Sequence, residues 1–456
     1  MNRIGLYGLV AFMLVCGSTS CTSGTHDTDE ASAGAEPLEF KVSRIGEYRG
    51  YGEPVYDGFE RKSVYVPNRE GIRLAVDIYL PTRQGVKPAK PLPAILRLTP
   101  YNRAERHLKT GELRYDWEAG SPSRQLLAHG YALVTADARG FGASFGTRDD
   151  FLPDATDGRD GYDLIEWIAK QPWSNGRVGM RGTSWKGRVQ LFVAAERPPH
   201  LAAIFAQVLG SPDALDNLFF AKGGISWKYL FVSSSFKASV ESKKANSSIE
   251  WSAPPVDADP DGRLLAEARR QRQFHADPDQ RLRQHDAESG FFRDSGSWDP
   301  NWRSGLLSGL RAAKIPTYIQ ASFFDYASSD SWFAQLSGPR KLVIGPGTHD
   351  EYGLLGKDDP RNIVDSGIRI IEPLRWFDYW LKGIENGVMN EPSVHYTVMD
   401  VEQISWAWRS APAWPDPAAK QRQFYFAPER AGTIDSINDG SLVARTGSPH
   451  TQSWMQ

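Results

Sequence analysis

One stretch, Arg177-Val-Gly-Met-Arg-Gly-Thr-Ser184-Trp-Lys-Gly187, constrains the chain more than any other. Val178 and Met180 alternate into Gly182, as in a strand entering a turn. After Ser184, the residues Trp185, Val189, Phe192, Val193 and Glu196 recur at helical spacing, and Pro198-Pro199 stop the run. A serine held at such a strand-to-helix turn has its hydroxyl lifted clear of the backbone. The helix N-terminus behind it favours developing negative charge.

That is the layout of an α/β-hydrolase nucleophile, with one irregularity. The general elbow is G-x-S-x-G, and here the second glycine comes one residue late. A strict G-x-S-x-G stands elsewhere, at Gly142-Ala-Ser144-Phe-Gly146. Ser144, however, lies well past the end of the strand expected over 131–136. The acidic, proline-containing run from Arg148 to Pro153 follows it where an elbow needs a helix. Context therefore selects Ser184.

The chain has 456 residues, enough for two or three domains. A net charge of −2 without long Lys/Arg runs makes no electrostatic case for nucleic acid. The N-terminus reads as a targeting segment: Arg3, an apolar run from Leu6 to Val15 too short to span a bilayer, then Gly17-Ser-Thr-Ser20 and Cys21. Ser-Thr-Ser-Cys resembles a bacterial lipoprotein cleavage site, although Ser18 stands where Leu is usual; ordinary signal peptidase cleavage is the rival. The protein is thus expected to be exported, either periplasmic or membrane-anchored through a lipidated Cys21, and otherwise secreted. Both cysteines, Cys16 and Cys21, fall in this segment, so the mature chain has no internal disulfide, thiol nucleophile or Cys-ligated metal.

Strand and helix patterns alternate from Arg61 to Val208, which argues a parallel, helix-flanked sheet. The rhythm breaks at Gly210-Ser-Pro212 and an inserted, mainly helical cap is expected until about residue 305, with Leu264 to Gln273 its clearest helix. Then Pro316 to Asp325 reads as a strand ending in an acid, and Lys341 to His349 as a strand ending in a histidine. The expected organisation is a signal peptide over 1–20, a flexible tether over 21–40, an α/β core over 41–210 and 306–392, a helical cap over 211–305, and the start of a C-terminal β-sandwich over 393–456.

Ser184, Asp325 and His349 each follow the C-terminal end of an expected strand. In an open parallel sheet those ends share one rim, so residues distant in sequence meet. Neutral serine is a poor nucleophile. His349 would take its proton and later protonate the leaving group, while Asp325 fixes the imidazole tautomer. Asp350 and Asp330 are rival acids. Of two oxyanion donors, one is the backbone N–H of Trp185. The second should come from the loop Thr99-Pro-Tyr101-Asn-Arg103, which lacks an HGGG run and offers the Tyr101 hydroxyl. Phe219, Phe220, Trp227 and Tyr229 either line an acyl pocket or pack the cap. Asp137-Ala-Arg-Gly-Phe-Gly142 fails as a dinucleotide fingerprint, because Phe145 holds the third glycine position and no helix starts there. With no HExxH, CxxC or EF-hand loop either, no cofactor or metal is expected.

Taken together, Thr99-Pro-Tyr101, Asp137 to Ser144, Gly182 to Gly187, Trp298-Asp-Pro-Asn-Trp302, Phe324-Asp325 and Ile344 to His349 resemble the cocaine esterase / X-prolyl dipeptidyl peptidase (CocE/NonD) family of serine hydrolases. The late elbow glycine is a feature of that family. The resemblance implies an α/β-hydrolase core, a helical cap and a C-terminal jelly roll. It matches Ser184 to the nucleophile, Asp325 to the acid, His349 to the base and Tyr101 to the oxyanion hydroxyl. Its substrates are esters, amides and short peptides.

Two departures bear on function. The family's amino acid ester hydrolases carry Glu and Asp two and three positions past the catalytic Asp, to hold a substrate ammonium; here Ala327 and Ser328 stand there. A jelly roll needs eight strands, and only three or four fit the roughly sixty residues after Pro392, so an incomplete sandwich is expected. The expectation is an acyl esterase or amidase preferring neutral acyl groups. An X-Pro dipeptidyl peptidase or aminoacyl ester hydrolase is the alternative within the class, and a non-catalytic surface binding protein the alternative outside it.

Overall fold

The structure, a computed structural model, describes residues 40–115, 122–148, 153–209, 220–221, 224–225, 251–272, 300–322, 329–345, 363–400, 405–420, 422–426 and 442–444. Met1–Phe40 and Lys41–Gln456 separate as two units. Cys21 and the rest of 1–39, where a signal peptide and tether are expected, lie outside the described residues.

Among the described residues, ten strands make the main sheet of the second unit: β1 Gly58–Pro67, β2 Arg73–Thr82, β3 Leu92–Thr99, β4 Ala132–Asp137, β5 Ser174–Thr183, β6 Leu201–Gln207, β7 Thr317–Ser322, β8 Arg340–Gly345, β9 Val394–Asp400 and β10 Ser405–Ala411. They form one sheet in the order β10-β9-β8-β7-β6-β5-β3-β4-β2-β1. The stretch from β4 to β9 is parallel, and β1, β2 and β10 close the edges antiparallel. The α-helices among the described residues are α1 Pro122–Ala128, α2 Ala155–Ala169, α3 Trp185–Ala195, α4 Arg263–Gln271, α5 Pro300–Ala313, α6 Asp330–Gln335 and α7 Ile363–Lys382.

Both faces of the central strands are buried, which is why these strands read as near-continuous apolar runs. On one face Ala94, Leu96 and Leu98 pack with Leu164, Ile165, Val189 and Val193 of α2 and α3. On the other, Ile95 and Leu133 pack with Leu126 and Leu127 of α1 and Trp376 and Phe377 of α7. Helices α2 and α3 cross closely because glycines stand at the crossing. A Cβ at Gly161 would lie 2.2 Å from Val193 Cγ2. Helix α2 begins at Ala155 under a capping box of Asp154 and Asp157. Its first turns carry no apolar period, because Asp157, Gly158, Asp160 and Gly161 lie buried there.

The chain leaves β3 through α1 on one face, and leaves β5 through α3 on the other. β3 and β5 are neighbours whose onward connections diverge, so a crevice opens beyond their C-terminal ends.

The structure adds three features to these expectations. Within 211–305 the described residues carry strands beside helix α4 and the start of α5. Phe220–Ala221 pairs with Gly224–Ile225 as a short hairpin, and Trp251–Ser252 adds a strand to the hairpin Ala104–His107/Leu113–Tyr115. Residues 253–272 then lie against the body: Asp257 accepts the Ser63 N–H, and Arg272 donates to the carbonyls of Gly142 and Ser144. Second, β9 and β10, over 394–411, extend the main sheet. β9 pairs parallel with β8, Thr397 Oγ1 donates to the Ile344 carbonyl, and Val394 and Ala411 join the main core. The described residues beyond them that pair as strands are Tyr425–Phe426 with Leu442–Val443. Third, β structure begins before Arg61. A hairpin of Val42–Arg44 and Glu47–Arg49 docks on α7, with Gly46 N–H donating to Glu372 and Tyr48 OH to Asp378, each at 2.9 Å.

Candidate active site

Ser184 sits between β5 and α3 with φ 62° and ψ −123°. A non-glycine residue in this region is strained and persists only where its surroundings hold it. They do so here through the backbone. The Ser184 N–H donates to the Gln207 carbonyl of β6, and the Ser184 carbonyl accepts from the N–H groups of Gly187 and Arg188, all at 2.9 Å. The late glycine has a structural cause. A Cβ at Gly187 would meet the Gln207 carbonyl oxygen at 2.6 Å, so α3 can start this close to β6 only from a glycine. Gly182 is required from the other side, since its Cβ would stand 2.5 Å from that of Lys186.

Trp185 is the first residue of α3, where backbone N–H groups have no partner within the helix and the dipole is positive. Its ring is buried, with the Arg148 guanidinium 5.9 Å from its centroid and 5.3 Å from that of Phe141. Arg148 grips Asp157 in the first turn of α2. Burial pushes the Asp157 carboxyl up to about 6, against the opposing pull of Arg148. Trp185 is thereby wedged between the elbow and α2.

The rival serine has a different surrounding. Ser144 is fully buried; its Oγ donates to the Asp137 carbonyl at 2.6 Å and accepts the Ala75 N–H at 2.8 Å. Both of its hydrogen-bonding roles are taken inside the fold.

Tyr101 follows β3 on the opposite bank of the crevice from Ser184. Its N–H donates to Thr99 Oγ1, and its side chain is 43 % exposed. The ammonium of Lys186, two residues past Ser184, lies 5.7 Å from the Tyr101 ring centroid, which places this tyrosine beside the elbow.

Asp325 and His349 lie outside the described residues, but the strands that lead to them do not. β7 ends at Ser322 and β8 at Gly345, paired in register on the same rim as Thr183 and Gln207. Below that rim Gln207 Nε2 donates to Gln320 Oε1 at 2.7 Å, tying β6 to β7. Of the rival acids, Asp330 accepts the Trp414 indole N–H at 2.6 Å, and Asp350 lies outside the described residues. Phe219, Trp227, Tyr229, Ala327 and Ser328 also lie outside them, and Phe220 belongs to the short hairpin. Among the described residues no three His, Cys, Asp or Glu side chains converge as a metal site. Sequence reasoning missed Arg103, buried between Asp77 and Asp137 directly behind the Tyr101 loop. Its only signals were its spacing from Tyr101 and an aspartate at the end of β4.

A family model described as X-Pro dipeptidyl-peptidase (S15 family) matches residues 70–351, more than half of the chain. A protein of Mycobacterium bovis provisionally named a serine esterase is 29 % identical over 454 residues, covering 88 % of this chain and 69 % of that one. The cocaine esterase of Rhodococcus sp. is 26 % identical over 426 residues, covering 84 % of this chain and 66 % of that one. Among solved structures, a CocE/NonD family hydrolase from Staphylococcus aureus shares the fold with a TM-score of 0.59 at 20 % identity, over 85 % of this chain and 64 % of that one. This chain spans 64 to 69 % of the length of these relatives.

Proposed function

The chain belongs to the X-Pro dipeptidyl-peptidase (S15) family of serine-type hydrolases, and we propose that it cleaves an ester or amide bond through a covalent acyl intermediate on Ser184. The observation that carries this reading is the backbone of Ser184, held at φ 62° at the mouth of a helix and at the rim of a topological switch. In this reading His349 takes the Ser184 proton as Oγ attacks the acyl carbon. The carbonyl π pair moves onto oxygen, where the Trp185 N–H and the Tyr101 hydroxyl receive it. Collapse expels the alcohol or amine with the proton from His349. Water, deprotonated by the same histidine, then releases the acid and restores Ser184. Asp325 orients the imidazole and stabilises its cation. The segment over 1–20 supports export, with Cys21 as the candidate lipidation site; a Cys21→Ala change should release the protein from the membrane fraction.

Substrate choice follows from charge. Burying a substrate ammonium without a carboxylate partner costs several kcal/mol. Ala327 and Ser328 occupy the positions where the family's amino acid ester hydrolases carry acids, and Lys186 sets a cation beside Tyr101. Neutral aryl or short alkyl acyl groups are therefore the proposed substrates. The test compares kcat/KM for a phenylacetyl or benzoyl ester, the matching phenylglycine ester and an Ala-Pro anilide. The neutral ester should lead by about a hundredfold or more. If the anilide or the phenylglycine ester is cleaved best, the dipeptidyl or aminoacyl branch is the right home.

A further inference from the structure

We infer that Lys186 is a specificity-determining residue of this site: its ammonium, carried from α3 to the Tyr101 bank of the crevice, repels a cation on the acyl group and favours an anion there. This rests on the reading of Ser184 and Tyr101 above.

Helix α3 packs into the body along most of its length. From Trp185 to Ala194 every residue is buried except Lys186. The other cation of that run, Arg188, turns inward: its Nε and Nη2 donate to the Leu209 carbonyl at 3.1 and 2.9 Å. The backbone of Lys186 is fixed as well. Its carbonyl accepts from Gln190 Nε2 at 2.9 Å, and a Cβ on Gly182 would lie 2.5 Å from that of Lys186. The side chain therefore starts pressed against the strand side of the elbow, two residues past Ser184. Its ammonium ends 5.7 Å from the Tyr101 ring centroid, within reach of a cation–π contact. Ser184 and Tyr101 stand on opposite banks. A side chain that runs from beside the one to the ring of the other sets its charge at the gap an acyl group has to enter.

That charge is placed against local preference. The first turn of α3 holds no acidic residue, and the positive end of a helix disfavours a cation at its second position. Departures of this kind from local preference cluster at functional sites. The helix N-terminus and the ammonium then act on the crevice with the same sign.

This differs in consequence from the loss of acids at Ala327 and Ser328. Missing acids only withdraw an attraction for an ammonium, and treat neutral and anionic acyl groups alike. A fixed cation separates all three. It disfavours an ammonium beside the acyl carbon, tolerates a neutral group, and draws in a carboxylate. Monoesters of dicarboxylic acids are the substrate class it adds. In a half-exposed site, a unit charge several ångströms away shifts kcat/KM by about tenfold.

The test uses the full chain and 4-nitrophenyl esters of one skeleton that differ only at the carbon next to the ester carbonyl. Phenylacetate carries hydrogen there, phenylglycine an ammonium, and the phenylmalonate monoester a carboxylate. The assay pH is low enough to keep the amine protonated. Each kcat/KM is divided by that of the phenylacetate, so a change in turnover common to all three drops out. In the parent the carboxylate ester should at least match the neutral one, and the ammonium ester should be cleaved worst. K186M should raise the ammonium ratio and lower the carboxylate ratio, each by about tenfold. K186R should keep both parental ratios, since charge rather than shape sets them. K186E should reverse the order; a carboxylate in the first turn of a helix is favourable, so this variant serves if K186M does not fold. Unmoved ratios in folded K186M or K186E would overturn the inference and leave the Ser184 reading in place. So would ratios that move as far in K186R as in K186M, or a parent that cleaves the ammonium ester best. An S184A chain that still turns over the phenylacetate would instead remove the reading on which the inference rests.

Discussion

Ser184 and Ser144 differ less in sequence than in what surrounds them. Ser184 stands at the head of a helix in a strained turn, while Ser144 spends both hydrogen-bonding roles on Asp137 and Ala75. Ser144→Ala should therefore act on stability alone. It leaves a buried N–H and a buried carbonyl unpaired, a loss of about 1–3 kcal/mol in denaturant unfolding, with kcat per folded molecule unchanged. A large fall in kcat with unaltered stability would contradict this. The distinction was legible in sequence, because helical spacing follows Ser184 and an acidic, proline-containing run follows Ser144. Arg103 was not. An arginine in a loop reads as solvated, and no local pattern shows that a left-handed Asn102 sends Tyr101 out and Arg103 in.

Elements meet here through glycines and buried charges that periodicity does not reveal. Gly161→Leu should force α2 off α3, since even a Cβ there overlaps Val193. Overpacking of this kind costs about 1–3 kcal/mol or more, and the urea midpoint should fall with the m-value unchanged. An unmoved midpoint would show that the two helices are free to separate. Strand β8 carries a second example. The Lys341 ammonium is buried and donates to the carbonyls of Glu391 and Pro392, and burial lowers its pKa from 10.5 to about 8. Below about 8 the amine is charged in both states and its burial costs stability. Between there and 10.5 the folded state releases the proton while the unfolded state holds it, so this residue's contribution to stability rises with pH across that window. Lys341→Met should flatten the rise in melting temperature over that range; an equal slope in parent and variant would assign it elsewhere. The alternating strands were readable from sequence, whereas the 42–49 hairpin was not. It is held by Glu372 and Asp378, more than three hundred residues away.

At the scale of the molecule, the sheet order puts the loops after β3 and β5 on opposite banks of one crevice, with β7 and β8 ending on the same rim. The βαβ rhythm made this architecture legible. It did not show that β9 and β10 extend the same sheet, because an alternating strand carries no mark of the sheet it will join. Covalent capture reads out the acyl-enzyme proposed on Ser184 in this crevice. The full chain is treated with a fluorophosphonate, digested, and the modified peptide located by mass spectrometry, with Ser184→Ala in parallel. The expected result is one stoichiometric adduct on Ser184, loss of ester hydrolysis in step with labelling, and neither labelling nor turnover in the variant. An adduct on Ser144, or a folded chain that hydrolyses esters without labelling at Ser184, would contradict it.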